Sequence, residues 1–241
     1  MIEALHTLAA LVTAHLLADF AFQTDWMIAH KRRPLVFAAH IAVVGLLSAV
    51  AIGWLYWPVL AIVVATHAAM DAVKLWLLKS GLAGFAVDQA VHLAIIAGVA
   101  LAWPDLFDRG AWTLLPDPLP HAVLLGFTTA AAIVAAVPMG GIVIGMLLAP
   151  LRLPARANIQ GLKQGGRYIG WLERALTLLF VAIGQPTGVG LLLAAKSILR
   201  FGDIKDTRQR ARTEYIMIGT FLSFGWALVV AVVARAVATH L

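Results

Sequence analysis

Apolar runs of membrane-crossing length alternate with short polar breaks along almost the whole chain. About 20 apolar residues span the hydrocarbon core of a bilayer as an α-helix. On that measure the pattern predicts eight membrane-embedded helices, at 4–24, 35–54, 57–78, 84–103, 120–149, 168–184, 186–201 and 214–238. The expected fold class is therefore all-α, a polytopic transmembrane helix bundle. The fifth run is too long for a simple span, and Pro138, Gly140 and Gly141 inside it predict a kink. The seventh is short and reads as a re-entrant or half-crossing helix. The proline-rich loop at 104–119 divides the chain into a first half, 1–115, and a second half, 116–241.

Polar residues interrupt the first four runs at helical intervals. His15, Asp19 and Gln23 are each four apart, and i and i+4 share one helix face. His67, Asp71 and Lys74 repeat the device at i, i+4 and i+7, and Asp88 and His92 repeat it once more. His40 adds a lone imidazole to the second run. Because successive spans run in opposite directions, position in the run gives depth. At 1.5 Å per residue, His40 lies about 8 Å, Asp88 about 6 Å and His92 about 12 Å from the start of their spans. His15 and His67 fall near mid-span, with Asp19, Gln23, Asp71 and Lys74 closer to the same membrane face. All of them converge on one half of the bilayer, which predicts one shared site.

Composition agrees with a membrane protein. The chain is 62% hydrophobic and 12% charged, against about 25% charged in soluble domains. A sequence pI near 10.1 invites a nucleic-acid reading, but the bases sit in short loops between apolar runs, so no nucleic-acid partner is expected. With the Lys31-Arg32-Arg33 loop in the cytoplasm, 16 of the 18 Lys and Arg residues fall on that side and only Arg109 and Arg235 on the other. This is a strong positive-inside bias. It predicts both termini outside, and a polar site in the cytoplasmic half of the membrane.

An ionisable group inside a membrane costs about 2.5–3.5 kcal/mol on insertion scales, so such groups mark functional sites by default. The chain has no cysteine, which leaves His nitrogen and carboxylate oxygen as metal donors. These suit Zn²⁺, Mn²⁺ or Fe²⁺. Candidate ligands for one or two divalent ions are His15, Asp19, His40, His67, Asp71, Asp88 and His92. Asp19, Asp71 and Asp88 are the candidate catalytic carboxylates, one of them free to act as general base. Gln23 and Lys74 are placed to hold substrate oxygens, and Lys74 could instead neutralise a carboxylate. The competing reading is a polar network that fixes the bundle through interhelical hydrogen bonds, without a metal.

The second half carries charge at helix ends. Lys196 and Arg200 form an i,i+4 basic pair, with Glu173 and Glu214 available as partners. An interfacial ion-pair network is the simpler reading. A phospholipid or phosphate headgroup site that includes Lys196 and Arg200 is the sharper one.

The pattern H-L-L-A-D-F-x-x-Q at 15–23, His40, H-x3-D-x2-K at 67–74 and D-Q-x2-H at 88–92 resembles the bacterial membrane family catalogued as domain of unknown function 3307, over roughly residues 5–100. L-E-R-A-L, A-A-K-S-I-L-R-F and E-Y-x3-G-T-x2-S-F in the second half resemble the extension of its longer members. The resemblance implies a multi-pass protein of the bacterial inner membrane. Its His/Asp pattern is also similar to that of membrane-bound metal-dependent hydrolases, a looser kinship. The expected activity is metal-dependent hydrolysis of a lipid phosphoester or similar amphiphile at the cytoplasmic leaflet. The alternatives are a transporter or metal/proton carrier using the same cluster, and a non-enzymatic scaffold with a structural polar core.

Overall fold

A computed structural model describes residues 2–78, 80–151, 164–199 and 210–241. Helices account for nearly all of the regular structure among these residues. The chain forms two compact units, one of residues 1–134 with 236–241 and the other of residues 135–235.

In the first unit α1 (Ile2–Phe20), α3 (Pro34–Ile52), α4 (Trp57–Trp76), α5 (Leu82–Ala102) and α6 (Leu119–Val134) are the long helices, and α2 (Asp25–His30) is a short surface helix between α1 and α3. Their boundaries follow local chemistry. Thr24 caps α2 by accepting from the Met27 N–H, and Pro34 and Pro58 stand in the first turns of α3 and α4, where no intrahelical N–H is missed. Gly53, at φ +75°, ends α3 in the left-handed region that glycine enters without strain.

α1 is the centre of this unit, packed by α3, α5 and α6, while α4 closes on α3 and α5. Leu11, Val44, Val59, Val63, Ile96 and Val99 make the core between them. One end of the bundle is tied by side chain to backbone bonds. Thr7 Oγ1 donates to Pro104 O at 2.8 Å and accepts from the Phe107 N–H at 3.1 Å, and Trp54 Nε1 donates to Leu106 O at 3.1 Å. Gly110 lies so close to Ile52 O that a Cβ would stand 2.0 Å from it, so the loop after α5 can seat on the end of α3 only through glycine. α6 joins this unit through Leu124 and through a bond from Thr13 Oγ1 to Phe127 O at 3.0 Å. For that reason the compact unit extends past the 104–119 loop to Val134.

The second unit begins at a π turn, Ala135–Met139, which leads into α7 (Gly140–Leu148), α8 (Gly165–Ala182), α9 (Thr187–Leu199) and α10 (Arg210–Ala238). A π turn with Pro138 inside it interrupts the fifth run at the place where the kink is expected. The carbonyls that it frees are satisfied by side chains: Arg174 Nη2 donates to Val137 O at 3.0 Å and Trp226 Nε1 to Ala135 O at 2.8 Å. Arg174 is buried and also donates to Ser223 Oγ at 3.0 Å. Gly140, Gly141 and Gly170 leave room for it, since a Cβ on any of them would come within 3.2 Å of the Arg174 side chain.

Among the described residues six helical segments are long and apolar enough to cross a membrane: 2–20, 34–52, 57–76, 82–102, 119–151 and 211–238. α8 and α9, which match the sixth and seventh predicted spans, are outside that set. α8 carries Arg167, Glu173 and Arg174, and α9 has 13 residues. α9 is thus the short helix that the length of its apolar run implies.

Candidate metal centre

The polar positions of the first four long helices meet at one end of the first unit. The alternation of helix direction brings the C-terminal halves of α1 and α4 beside the N-terminal halves of α3 and α5. His15, His40, His67, Asp71, Asp88, Gln89 and His92 are all buried there, from 0% to 6% exposed. This level of burial of ionisable groups is rare unless they are paired or bound to an ion.

The tightest arrangement is a triangle. His40 Nε2 lies 3.2 Å from His67 Nε2, Asp19 Oδ1 lies 3.4 Å from the first and 3.3 Å from the second. Ligands held 2.0–2.1 Å from a tetrahedral Zn²⁺ lie roughly 3.3–3.4 Å from one another. The three atoms therefore have the spacing of three corners of such a site, contributed by α1, α3 and α4. Asp71 Oδ2 is beside it, 3.2 Å from His40 Nε2 and 3.6 Å from His67 Nε2. A second group of donors consists of His15, His67 and His92, with one ligand atom from each within 4.8 Å of the others.

Two lysines balance the carboxylates. Lys31 Nζ is 2.7 Å from Asp71 Oδ2, and Lys74 Nζ is 2.5 Å from Asp88 Oδ2. Asp88 Oδ2 also accepts from Gln89 Nε2 at 3.1 Å, and the Gln89 Oε1 of the same amide lies 3.2 Å from His15 Nε2. Asp19, Asp71 and Asp88 against Lys31 and Lys74 leave one negative charge on the described cluster with every imidazole neutral. A buried net negative charge favours a bound cation.

One expectation needs correction. Gln23 does not continue the helical stripe of His15 and Asp19. α1 ends at Phe20, where the Ala21 and Phe22 N–H groups both donate to Leu17 O, and Gln23 stands in the connection to α2. Its Nε2 is buried without a hydrogen-bond partner among the described residues. Asp71 takes its cation from Lys31 rather than from Lys74, one turn away on α4. Lys74 instead reaches across to Asp88 on α5. Lys31, although in a basic loop, is only 8% exposed. Nothing in Lys31-Arg32-Arg33 singles out its first residue. The available signal was electrical: three carboxylates predicted at one depth, with a single lysine beside them.

In the second unit Lys196 Nζ pairs with Glu173, at 2.6 Å from Oε1 and 2.8 Å from Oε2. This is the ion pair of the simpler sequence reading. Arg200 lies outside the described residues.

No curated protein and no solved structure matches the chain. Residues 7–112, which contain every side chain of the His/Asp cluster, match the model of the family described as Protein of unknown function (DUF3307).

Proposed function

We propose that the first unit is a membrane-embedded, metal-dependent hydrolase whose ion is held by Asp19, His40 and His67. The observation that carries this reading is the triangle of donor atoms with edges of 3.2–3.4 Å. Two nitrogens and one oxygen suit Zn²⁺, Mn²⁺ or Fe²⁺, and three protein ligands with a fourth position open is the pattern of catalytic zinc sites. When bound, such an ion polarises an ester oxygen and acidifies a water molecule. The charge balance favours that chemistry. A divalent ion turns the single negative charge of the cluster into a single positive one, so the buried site then favours one more anionic group.

The protein groups around the triangle take the remaining roles. Asp71 is the carboxylate next to it and is the candidate general base, with Lys31 fixing its position. Lys74, 38% exposed at its side chain, stands where a phosphate oxygen could reach it. The substrate class is a lipid phosphoester or similar amphiphile, taken from the cytoplasmic leaflet of a bacterial inner membrane. Six or eight spans both return the C-terminus to the side of the N-terminus, which the positive-inside bias puts outside.

A second reading, a metal or proton carrier, has one observation in its favour. The imidazoles form a continuous series, with ring centroids 5.3 Å apart for His40 and His67, 4.2 Å for His67 and His92, and 4.9 Å for His92 and His15. Metal content of the purified protein, wild type beside His40→Ala, tests the shared premise. Turnover of phospholipid vesicles, followed by mass spectrometry of the lipid products, then tests hydrolysis. Metal-loaded protein that moves Zn²⁺ or protons across liposomes and cleaves no lipid would replace the hydrolase with the carrier.

A further inference from the structure

We infer that His15, His67 and His92 form a second cation seat, distinct from the Asp19–His40–His67 triangle and joined to it through His67. The inference rests on the metal reading of the cluster only through that shared residue. Each of the three imidazoles is 3% exposed. They line a small cavity with about 10 Å³ of room for water centres, whose other walls include Leu11, Val44, Val63 and Ile96. That is the room of about one water molecule or one ion.

The hydrogen bonds of the seat are incomplete. Both ring nitrogens of His92 and Nδ1 of His15 are buried without a hydrogen-bond partner among the described residues. A neutral imidazole carries one donor and one acceptor, and leaving either unmet in a buried site costs about 1–3 kcal/mol. An ion in the cavity would use these lone pairs. On His15 the ring is set from the other side: Gln89 Oε1 lies 3.2 Å from Nε2, and a proton donated there leaves the lone pair on the partnerless Nδ1. Such an acceptor behind a ligating histidine fixes its tautomer and raises its basicity.

The donor set defines the ligand class. Three nitrogens and no oxygen suit a late first-row transition ion such as Zn²⁺ or Co²⁺, and exclude Mg²⁺ and Ca²⁺, which require oxygen. The first triangle has two nitrogens and one carboxylate, so the two seats differ in ligand charge.

Titration of purified, metal-stripped protein with Co²⁺, followed by visible absorption and equilibrium dialysis, tests the inference. His40→Ala breaks the triangle and leaves the second seat, and should still bind about one Co²⁺ per chain. His92→Ala breaks the second seat and leaves the triangle, and should bind Co²⁺ with a different spectrum. His67→Ala should lose both. If His40→Ala binds nothing while His92→Ala binds, the second seat does not exist and the triangle stands. If His92→Ala binds nothing while His40→Ala binds, the second seat stands and the triangle falls. No Co²⁺ in the wild type would overturn both. Gel filtration in detergent checks each variant, and where an alanine variant is not monodisperse, His40→Asn and His92→Asn carry the same comparison.

Discussion

Lys31 and Asp71 are 40 residues apart in sequence and 2.7 Å apart in space, with both side chains at most 10% exposed. The lysine precedes α3 and the aspartate is in the last turns of α4. A buried ion pair of this kind has little net worth against an apolar substitute, but breaking it by removing one partner typically costs 3–5 kcal/mol, because a charge is left alone in low dielectric. Lys31→Met should therefore destabilise the protein by about 3 kcal/mol. Adding Asp71→Asn to it should recover a large part of the loss. Thermal unfolding in detergent of the two single variants and the double variant measures the coupling. Additive losses would show that the pair does not interact.

Lys74 provides the contrast. It pairs with Asp88, which is fully buried, but the lysine side chain is 38% exposed and water can replace it. Lys74→Met is expected to cost less stability than Lys31→Met in the same assay, and to reduce turnover of an anionic lipid more than it reduces metal content.

Metal affinity should rank the carboxylates. Asp19 is a corner of the triangle and Asp71 stands beside it. Loss of a residue that orients a ligand typically costs 10–100-fold in affinity. Asp71→Asn is expected in that range, and Asp19→Asn above it. Calorimetry with Zn²⁺ on stripped protein gives both numbers. Equal losses would make Asp71 a direct ligand, and unchanged affinity in both would leave the cluster a hydrogen-bonded network.

How much of this was legible beforehand depends on the range of each interaction. The four long helices of the site and the common depth of His15, His40, His67, Asp71, Asp88 and His92 follow from apolar run length and alternating direction alone. The partners within the site do not. Periodicity places His67, Asp71 and Lys74 on one face of α4, yet Asp71 and Lys74 take their partners from different neighbours, because that choice depends on how the helices are rotated against each other. Gln23 was misplaced because an apolar run does not mark the residue at which a helix stops. Nothing in the L-E-R-A-L segment marks Arg174 as a buried donor. Its two acceptors, Val137 O and Ser223 Oγ, come from segments 37 and 49 residues away.

The π turn of the second unit depends on space as much as on hydrogen bonds. A Cβ on Gly140 would stand 2.6 Å from Trp226 Cδ1, and the indole is held by its bond to Ala135 O. Gly140→Ala should cost about 1–3 kcal/mol, the usual penalty of overpacking. Gly145→Ala, with nothing within 4 Å of the new methyl, should be neutral or slightly stabilising through helix propensity. Thermal stability of the two variants checks the difference.

The centre of the first unit is made before the helices that pack around it. Asp19 is on the ribosome's growing chain before either of the imidazoles that surround it, His40 and His67, has been added. α1 is the least apolar of the six candidate spans, and α3 is the most apolar. During synthesis α1 therefore meets the lipid with an unpartnered carboxylate that is costly to insert. α3 brings His40 and its own greater apolarity only about 20 residues later, and the two helices already pack on each other in the finished fold. Biogenesis of this protein is thus a matter of waiting: α1 is committed to the bilayer by the helices made after it.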